Sequence, residues 1–184
     1  AAGGVGARLV MSHFSVMTRE TAAVFAGGPP MIRRALGYDI DKFALGGADI
    51  ALAAGTVDNL AEDEDDAIRQ MKTVLSYLPQ NVWELPPHGP TDDPIDRSCE
   101  ELLKIMPTQR RRIYEPRDII NTVVDRASFF EVGANWGKTV VQGFARVGGL
   151  PVGVFSSNPR YSGGALDGGG IVGCTIPFRP VVCY

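Results

Sequence analysis

The sequence opens on AAGGVG at residues 1–6, a glycine-rich loop that leads into helix-compatible residues from Ala7 to Met11. We expect a strand before such a loop and a helix after it, because glycine permits the tight backbone turn that this connection needs. Short apolar runs separated by glycine then continue through the following segment of the chain. The opening stretch therefore predicts a fold of the α/β class, in which strands and helices alternate.

The same glycines are the candidates for chemistry. Gly3, Gly4 and Gly6 lie just before the predicted helix, where no side chain blocks their backbone N–H groups and the helix dipole adds partial positive charge. Such donors suit a thioester oxygen that becomes negative as an enolate forms. Glycine-rich turns before helices are also common without this chemistry, so both interpretations stay open on these residues alone.

Composition and charge exclude several classes of protein. The 184-residue chain has a net charge of −3 and a single short basic run at 110–112, which argues against a nucleic-acid surface. Cys99, Cys174 and Cys183 are odd in number and lack metal-ligand spacing, as expected in a reducing compartment. No apolar run approaches the roughly 20 residues of a membrane-spanning helix. The sequence also lacks a Gly-x-Ser-x-Gly elbow and a phosphate loop.

Apolar periodicity and turn residues outline the elements. In the first part we predict strands at 14–17 and 22–25, helices at 30–36 and 41–45, and a longer helix that follows the acidic run 62–66. Residues 79–112 are proline-rich and extended, with one short helix at 100–105, and this segment is interpreted as a linker. Beyond it we predict a helix at 118–124 and strands at 129–131, 139–146 and 152–155, with a hairpin turn at Gly148 and Gly149.

A polar, glycine-rich loop follows the last predicted strand. It contains SSNP at 156–159 and SGG at 162–164. Loops of this kind often line binding sites, and a purely structural turn is an equal alternative here. For Asp125, Phe129 and Phe130 we expect a structural role in anchoring the turns, and for Arg8 a place on the surface.

Short motifs run through the chain in the order found in one known family. In the first part these are GG at 3–4, FAGGPP at 25–30, LGGAD at 45–49, GTVD at 55–58 and LSYLP at 75–79. WELPP at 83–87, YEPRDII at 114–120, FFE at 129–131, GFAR at 143–146 and GLPVG at 149–153 follow. In this order they resemble the carboxyltransferase (beta) subunit of biotin-dependent acyl-CoA carboxylases of the propionyl-, acetyl- or methylcrotonyl-CoA type.

The resemblance implies an α/β fold of two crotonase-like lobes, each a superhelix of ββα turns. Residues 1–79 correspond to the end of the first, acyl-CoA lobe, 80–112 to a linker, and 113–184 to the start of the second, biotin lobe. We therefore expect the chain to be an internal part of a longer protein, inactive by itself.

The resemblance also assigns an oxyanion hole, a set of backbone N–H donors for the thioester oxygen of acyl-CoA. The family's pattern falls on Gly3 and Gly4. The chain departs from many relatives directly afterwards, so the donors could be shifted to Val5 and Gly6. The matching hole for biotin is expected beyond Tyr184.

The activity implied by the resemblance is carboxyl transfer from carboxybiotin to an acyl-CoA. Carboxybiotin would be carried on a partner carrier domain, a coenzyme A thioester would be the substrate, and no metal is expected in this subunit. Expected partners are a biotin carboxylase or biotin carrier subunit and further copies of the chain, with the active site between subunits. We expect no nucleic acid or membrane partner, and a location in the cytoplasm or the mitochondrial matrix.

Other functions stay open from the sequence. A carboxyltransferase subunit of a biotin-dependent decarboxylase would carry the same motifs, and a non-catalytic crotonase-like assembly subunit would keep the lobes without binding thioesters. A simple hydratase or isomerase fits less well, because such enzymes commonly use a positioned carboxylate and need neither linker nor second lobe.

The last segment departs from the family pattern. Residues 168–184 read GGGIVGCTIPFRPVVCY, without helical periodicity, where the family continues into an amphipathic helix. A shifted reading frame of one possible coding sequence gives a peptide that does resemble that helix. We hypothesise a frameshift from about Gly168 onward, in which case Cys174 and Cys183 have no functional meaning.

Overall fold

The computed structural model describes residues 1–94, 96–109 and 112–173. Its mixture of helices with parallel and antiparallel strands confirms the predicted α/β class. The chain divides into two compact units, the first from Ala1 to Lys72 and the second from Thr73 onward. The assignment of 1–79, 80–112 and 113–184 to two lobes and a linker stays a prediction.

The first unit is built from short helices around a pair of parallel strands. Its elements are α1 (Gly4–Val10), β1 (Val16–Thr18), α2 (Pro29–Leu36), α3 (Lys42–Gly46), α4 (Ala48–Ala53) and β2 (Asn59–Ala61), followed by the first part of α5 (Glu64–Tyr77). Strand β1 pairs with β2, with Met17 opposite Leu60. Met17, Ala48, Ala51 and Val57 form a buried apolar cluster between these strands and α4.

Local residue chemistry explains where α2 and α3 begin and end. Pro29 and Pro30 occupy the first turn of α2, where a missing N–H has no cost, and Gly37 ends the helix in a left-handed conformation. The Asp41 carboxylate caps α3 by accepting a hydrogen bond of 2.8 Å from the N–H of Phe43. Both predicted helices are therefore confirmed to within a residue at each end.

A half-buried carboxylate joins the two strands of the first unit. Asp58 Oδ2 accepts hydrogen bonds from Ser15 N at 2.7 Å and from Ser15 Oγ at 2.9 Å. Burial raises the pKa of Asp58, and the hydrogen bonds from Ser15 oppose that rise. This contact fixes the start of β1 against the residue before β2.

Two strand predictions for the first unit need correction. The strand predicted at 14–17 is found at Val16–Thr18, and the segment 22–25 forms only isolated bridges, Ala23 to Gly47 and Ala2 to Phe25. Helix α1 also begins at Gly4, three residues before the predicted start at Ala7. The sequence pattern missed α4, because Gly47 both ends α3 and precedes α4, so no linker separates the two helices.

The long helix α5 exposes much of its apolar stripe. Val74 is buried, but Ile68, Met71 and Leu75 are 50%, 51% and 63% exposed. The predicted acidic start is confirmed by Glu64, the first residue of the helix, which opens a first turn rich in carboxylates. The helical period is therefore correct, while three apolar residues of the stripe stay exposed in the described part of the chain.

The second unit is organised by a three-stranded antiparallel sheet. Its elements are the end of α5, then α6 (Leu102–Ile105), α7 (Pro116–Val123), β3 (Phe130–Glu131), β4 (Val140–Val147), β5 (Leu150–Ser157) and α8 (Gly168–Gly173). Strand β4 lies in the centre, with Phe144 opposite Phe130 on one side and Gly153 on the other. Ile120 and Val124 of the α7 region pack against Val141 and Ala145.

The hairpin turn between β4 and β5 is held by Asp125. Its carboxylate accepts hydrogen bonds from Gly148 N at 2.8 Å and Gly149 N at 2.7 Å. Both glycines have positive φ, 57° and 80°, which glycine adopts without strain. The predicted turn and the structural role of Asp125 are thus confirmed.

Arg146 ties the extended proline-rich segment to this hairpin. Its guanidinium donates to the backbone oxygens of Ser76 at 2.6 Å, Pro87 at 3.0 Å and Gly149 at 2.9 Å. The same group lies over the ring of Tyr77, 5.0 Å from the ring centroid. The segment around Pro87 is therefore joined to the hairpin by Arg146 and by the N–H of Gly89, which donates to Gly149 O at 2.8 Å.

The segment at 168–173 is helical, which differs from the expectation for this part of the chain. Residues Gly168–Gly173 form the short helix α8, although no helical periodicity was expected there. Its start is fixed by Asp167, whose carboxylate accepts from Gly170 N at 2.7 Å and from Thr139 Oγ1 at 2.9 Å. Cys174 and Cys183 lie outside the described residues, and the frameshift stays a hypothesis.

We predict that Asp125→Asn destabilises the protein by about 2 kcal/mol, because the two N–H groups bond to different carboxylate oxygens and the amide would face one of them with an NH2 donor. Burial alone would raise the pKa of Asp125, but the N–H groups of Gly149 and Gly148 hold it below its ordinary value. A lowered pKa means that this stability is present above the pKa of the unfolded carboxyl, about 4, and is lost as pH falls further.

The measurement is thermal unfolding of wild type and variant at neutral and at acidic pH. The difference in melting temperature should be largest near neutral pH and should shrink at acidic pH. Asp92→Asn, a change at an exposed carboxylate, is the matched control and should melt like wild type. An Asp125→Asn protein with unchanged melting at neutral pH would contradict the assigned role.

Candidate active site

The start of helix α1 is fixed by backbone hydrogen bonds from Gly3. The N–H of Gly3 points at the backbone oxygens of Phe25 and Ala26, at 3.3 Å and 3.1 Å. The carbonyl of Gly3 accepts the first helical bond, 3.0 Å from Ala7 N. With a φ of 57°, Gly3 occupies a conformation that side-chain-bearing residues rarely adopt. Gly3 therefore sets the direction in which the helix begins.

The three residues after Gly3 leave their backbone donors unused. The first N–H groups of any helix have no intrahelical acceptor. In the described part of the chain, no hydrogen-bond acceptor is found for the N–H of Gly4, Val5 or Gly6, and no side chain caps α1. Gly4 and Val5 are exposed, and Gly6 is buried. This start of α1 presents consecutive donors to whatever ligand reaches it.

A cavity of about 400 Å³ lies beside the same helix. Gly3, Gly6 and Ala7 form one side of it, and its other lining residues are Val10, Met11, Val24, Phe25, Ala26 and Thr56. None of these side chains is titratable, so the wall offers apolar contact and one hydroxyl. A mostly apolar cavity next to a small number of polar donors is the usual form of a ligand site.

The position of the Gly3 acceptors depends on a close backbone approach at Gly46. Val24 N donates to Gly46 O at 2.8 Å. A Cβ atom added to Gly46 would lie 2.0 Å from Val24 O, a distance that no real Cβ contact shows. Only glycine therefore fits where α3 ends, and its presence lets the Val24–Phe25 segment reach the start of α1.

The structure brings the predicted glycines together but gives them different tasks. The N–H groups of Gly4 and Gly6 have no acceptor among the described residues, whereas the N–H of Gly3 is engaged within the fold, and an oxyanion role for these glycines stays a prediction. The sequence missed the part played by Gly46. The LGGAD motif is present in the sequence, but the contact that requires glycine at position 46 is with Val24, which lies 22 residues earlier. Such a contact leaves no local signal.

Other groups near the site supply little charge. Arg8 in α1 is exposed, as expected. Within residues 1–94, 96–109 and 112–173 no group of three or more His, Cys, Asp or Glu side chains is arranged to hold a metal ion. The described helices are also all too short or too polar to cross a membrane.

Comparison with known proteins identifies the family. The carboxyl transferase domain matches residues 1–171. The chain belongs to the carboxyl transferase family. It is 38% identical over 168 residues to the carboxyltransferase subunit of propionyl-CoA carboxylase from Haloferax mediterranei, which covers 90% of the chain and 32% of the relative. Over 167 residues it is 32% identical to the mitochondrial propionyl-CoA carboxylase beta chain of Homo sapiens, with 90% and 31% covered.

Solved structures confirm the crotonase-like fold expected for this family. The transcarboxylase 12S structure with hydrolysed methylmalonyl-coenzyme A bound superposes with a TM-score of 0.83 at 34% identity, covering 90% of this chain and 33% of that one. A single-chain, multi-domain long-chain acyl-CoA carboxylase gives 0.78 at 25% identity, covering 92% and 16%. The chain thus spans about a third of the length of the curated relatives it matches.

We predict that Gly46→Ala destabilises the first unit by about 3 kcal/mol, since a methyl group forced against a backbone carbonyl must move the main chain. The measurement is thermal unfolding of the intact protein that carries this sequence. Gly4→Ala is the matched control, because a Cβ at Gly4 has no heavy atom within 4 Å. Equal melting temperatures for the two variants would show that the Gly46 contact is relaxed at no cost.

Proposed function

We propose that the intact carboxyl transferase protein moves a carboxyl group from carboxybiotin to an acyl-CoA, and that this chain provides thioester binding at the start of α1. The observation that carries the proposal is the run of unused N–H donors at Gly4, Val5 and Gly6, of which Gly6 lines an apolar cavity. Membership of the carboxyl transferase family supplies the reaction class.

The chemistry required of these donors is stabilisation of negative charge. Removal of a proton from the carbon next to a thioester moves charge onto the thioester oxygen. Backbone N–H groups held in place before the reaction can stabilise that oxygen without reorganising. Gly3 orients them, and the apolar wall keeps water away from the reacting carbon. Carboxybiotin, when bound, would supply the carboxyl group, and the biotin ureido group left by that loss would take up the proton.

No side chain of this site needs to act as a nucleophile. The cavity wall contains no carboxylate, histidine, cysteine or lysine among the described residues. Catalysis here would consist of positioning and charge stabilisation by the backbone. The resemblance to the family predicts Gly3 and Gly4 as donors. We assign the donor role to Gly4, Val5 and Gly6 instead. We propose that Gly3 orients the helix.

Partners follow from the same proposal. We propose that carboxybiotin arrives on a biotin carrier domain that works with a biotin carboxylase, and that copies of the chain assemble with the active site between them. The relative transcarboxylase 12S is described as a hexamer that binds substrate in a multienzyme core. The cytoplasm, or the mitochondrial matrix in a eukaryote, is the proposed location. The relatives' names give no support to a decarboxylase or a non-catalytic subunit.

The activity can be tested with the intact protein, free biotin and methylmalonyl-CoA or malonyl-CoA labelled in the carboxylate. Label should move to biotin, and transfer should stop when biotin is omitted. Comparing the two thioesters would show which acyl group is preferred. Binding of CoA esters without transfer would refute the carboxyl-transfer proposal, and absence of any binding would indicate a non-catalytic subunit.

We predict that Gly4→Pro lowers kcat by about a hundredfold, the usual result of removing one oxyanion donor. Proline lacks the N–H and is well tolerated at the first position of a helix, so α1 should still form. Gly4→Ala keeps the donor and should stay within a few-fold of wild type. Steady-state kinetics of both variants with the labelled-transfer assay provide the measurement, and equal kcat values would remove Gly4 from the oxyanion hole.

A further inference from the structure

The second unit contains a polar cavity that plays no part in the proposed reaction. Its volume is about 200 Å³, and it lies where β5 ends. The segment before β4 supplies Asn135 and Lys138 to its wall, and the loop after β5 supplies Arg160 and Tyr161. This is the polar loop that the sequence left open between a binding and a turning role.

Ion pairs hold two of the wall's guanidinium groups. Glu115 accepts from Arg117 Nη1 at 2.9 Å and from Arg160 Nη1 at 2.8 Å. Arg117 also pairs with Glu131, at 2.7 Å through its Nε. Burial alone would raise the pKa of Glu115, but the hydrogen bonds from Arg160 and Arg117 hold it below its ordinary value. Glu115 therefore stays ionised, and both arginines have fixed positions.

The charges around the cavity do not balance. The cationic side chains Arg117, Lys138 and Arg160 outnumber the carboxylates Glu115 and Glu131 by one. Lys138 is the cation without a partner, since no ion pair or hydrogen bond of its ammonium group is found within the described part of the chain. An exposed lysine gains its strongest interaction from an anion that also finds neighbouring donors.

The backbone beneath Lys138 is held rigidly by Asn158. That side chain is buried, with 1% exposure, and its Nδ2 donates to Lys138 O at 3.0 Å. Its own N–H donates to Thr139 O at 2.7 Å, and its Oδ1 accepts from Arg160 N at 3.2 Å. Asn158 thus joins the two loops that form the wall and holds the backbones of Lys138 and Arg160 together.

Further donors on the wall are free to serve a ligand. Among the described residues, no hydrogen-bond partner is found for the Asn135 amide or the Tyr161 hydroxyl. The Arg160 guanidinium donates to Glu115 through Nη1, and the other N–H groups of Arg160 are available to a ligand. An amide, a hydroxyl, a guanidinium edge and an ammonium group together can satisfy several oxygens of one anion.

We propose that this cavity binds a small oxyanion, a phosphate or carboxylate group, through Lys138 with help from Arg160, Asn135 and Tyr161. The volume admits such a group with some water but is below the 300–1,000 Å³ of ordinary small-molecule pockets. The anion is either free in solution or the phosphate end of a larger molecule, for which the CoA thioester of the proposed function is the candidate to test. The proposal does not rest on the reaction assigned to the first unit.

Titration calorimetry of the intact protein with inorganic phosphate tests the proposal. Phosphate should bind saturably to wild type, and Lys138→Met should weaken it by about tenfold or more, the loss expected for a charge-assisted hydrogen bond. Lys138→Arg should stay within a few-fold of wild type. Lys104→Met, a change at an exposed lysine in α6, is the matched control and should have no effect. The Lys138 side chain is exposed, so its replacement should leave folding unchanged.

Titrations with coenzyme A and with pantetheine, which has no phosphate, distinguish the source of the anion. If coenzyme A competes with phosphate and Lys138→Met weakens coenzyme A but not pantetheine, the cavity holds a coenzyme A phosphate. If phosphate binds equally well with coenzyme A saturating, the anion is free. Absence of saturable phosphate binding, or equal affinities for wild type and Lys138→Met, would overturn the proposal. Because binding is read directly, this result is independent of whether carboxyl transfer is observed.

Discussion

The close backbone approach at Gly46 is the constraint on which the first unit depends. Where α3 ends, the main chain passes so near Val24 that no Cβ atom fits between them. This approach lets Val24 donate to Gly46 and brings the next residue, Phe25, to the N–H of Gly3. The direction of α1, and with it the direction of its unused donors, follows from that chain of contacts. The steric requirement at Gly46 thus determines the direction in which the N–H donors of α1 point.

The second unit depends on a different kind of contact, buried or half-buried polar groups that fix loops. Asp125 holds the hairpin turn, Arg146 holds the proline-rich segment, and Asn158 joins the loops around the polar cavity. Each of these groups has several partners, so the cost of removing it from water is met by hydrogen bonds. The sheet gives this unit its core, while these side chains decide where its loops lie.

The sequence predicted what depends on local signals. Paired prolines located the start of α2, an aspartate located α3, and two glycines located the hairpin turn. It placed a strand at 22–25 that is not formed, because those residues bond to the backbones of Gly46 and Ala1 rather than to a neighbouring strand. Contacts such as Glu115 with Arg160 join residues 45 positions apart. Neither partner carries a sign of the other, so the sequence could indicate the loop at 156–164 as a candidate but not the cavity that it forms with Asn135 and Lys138.

The two sites differ in how a sequence can reveal them, and the reason is chemical. At the start of α1 the donors are backbone N–H groups, which every residue except proline has. No side-chain type therefore identifies the residues that provide them. Glycine is common in turns, so its presence alone does not indicate a binding role. The order of the motifs around these positions is what indicated that role. At the polar cavity the donors are side chains, but the fold alone brings Lys138 and Arg160 to the same wall. A search for catalytic side chains would therefore overlook the first site, and a search for local motifs would overlook the second.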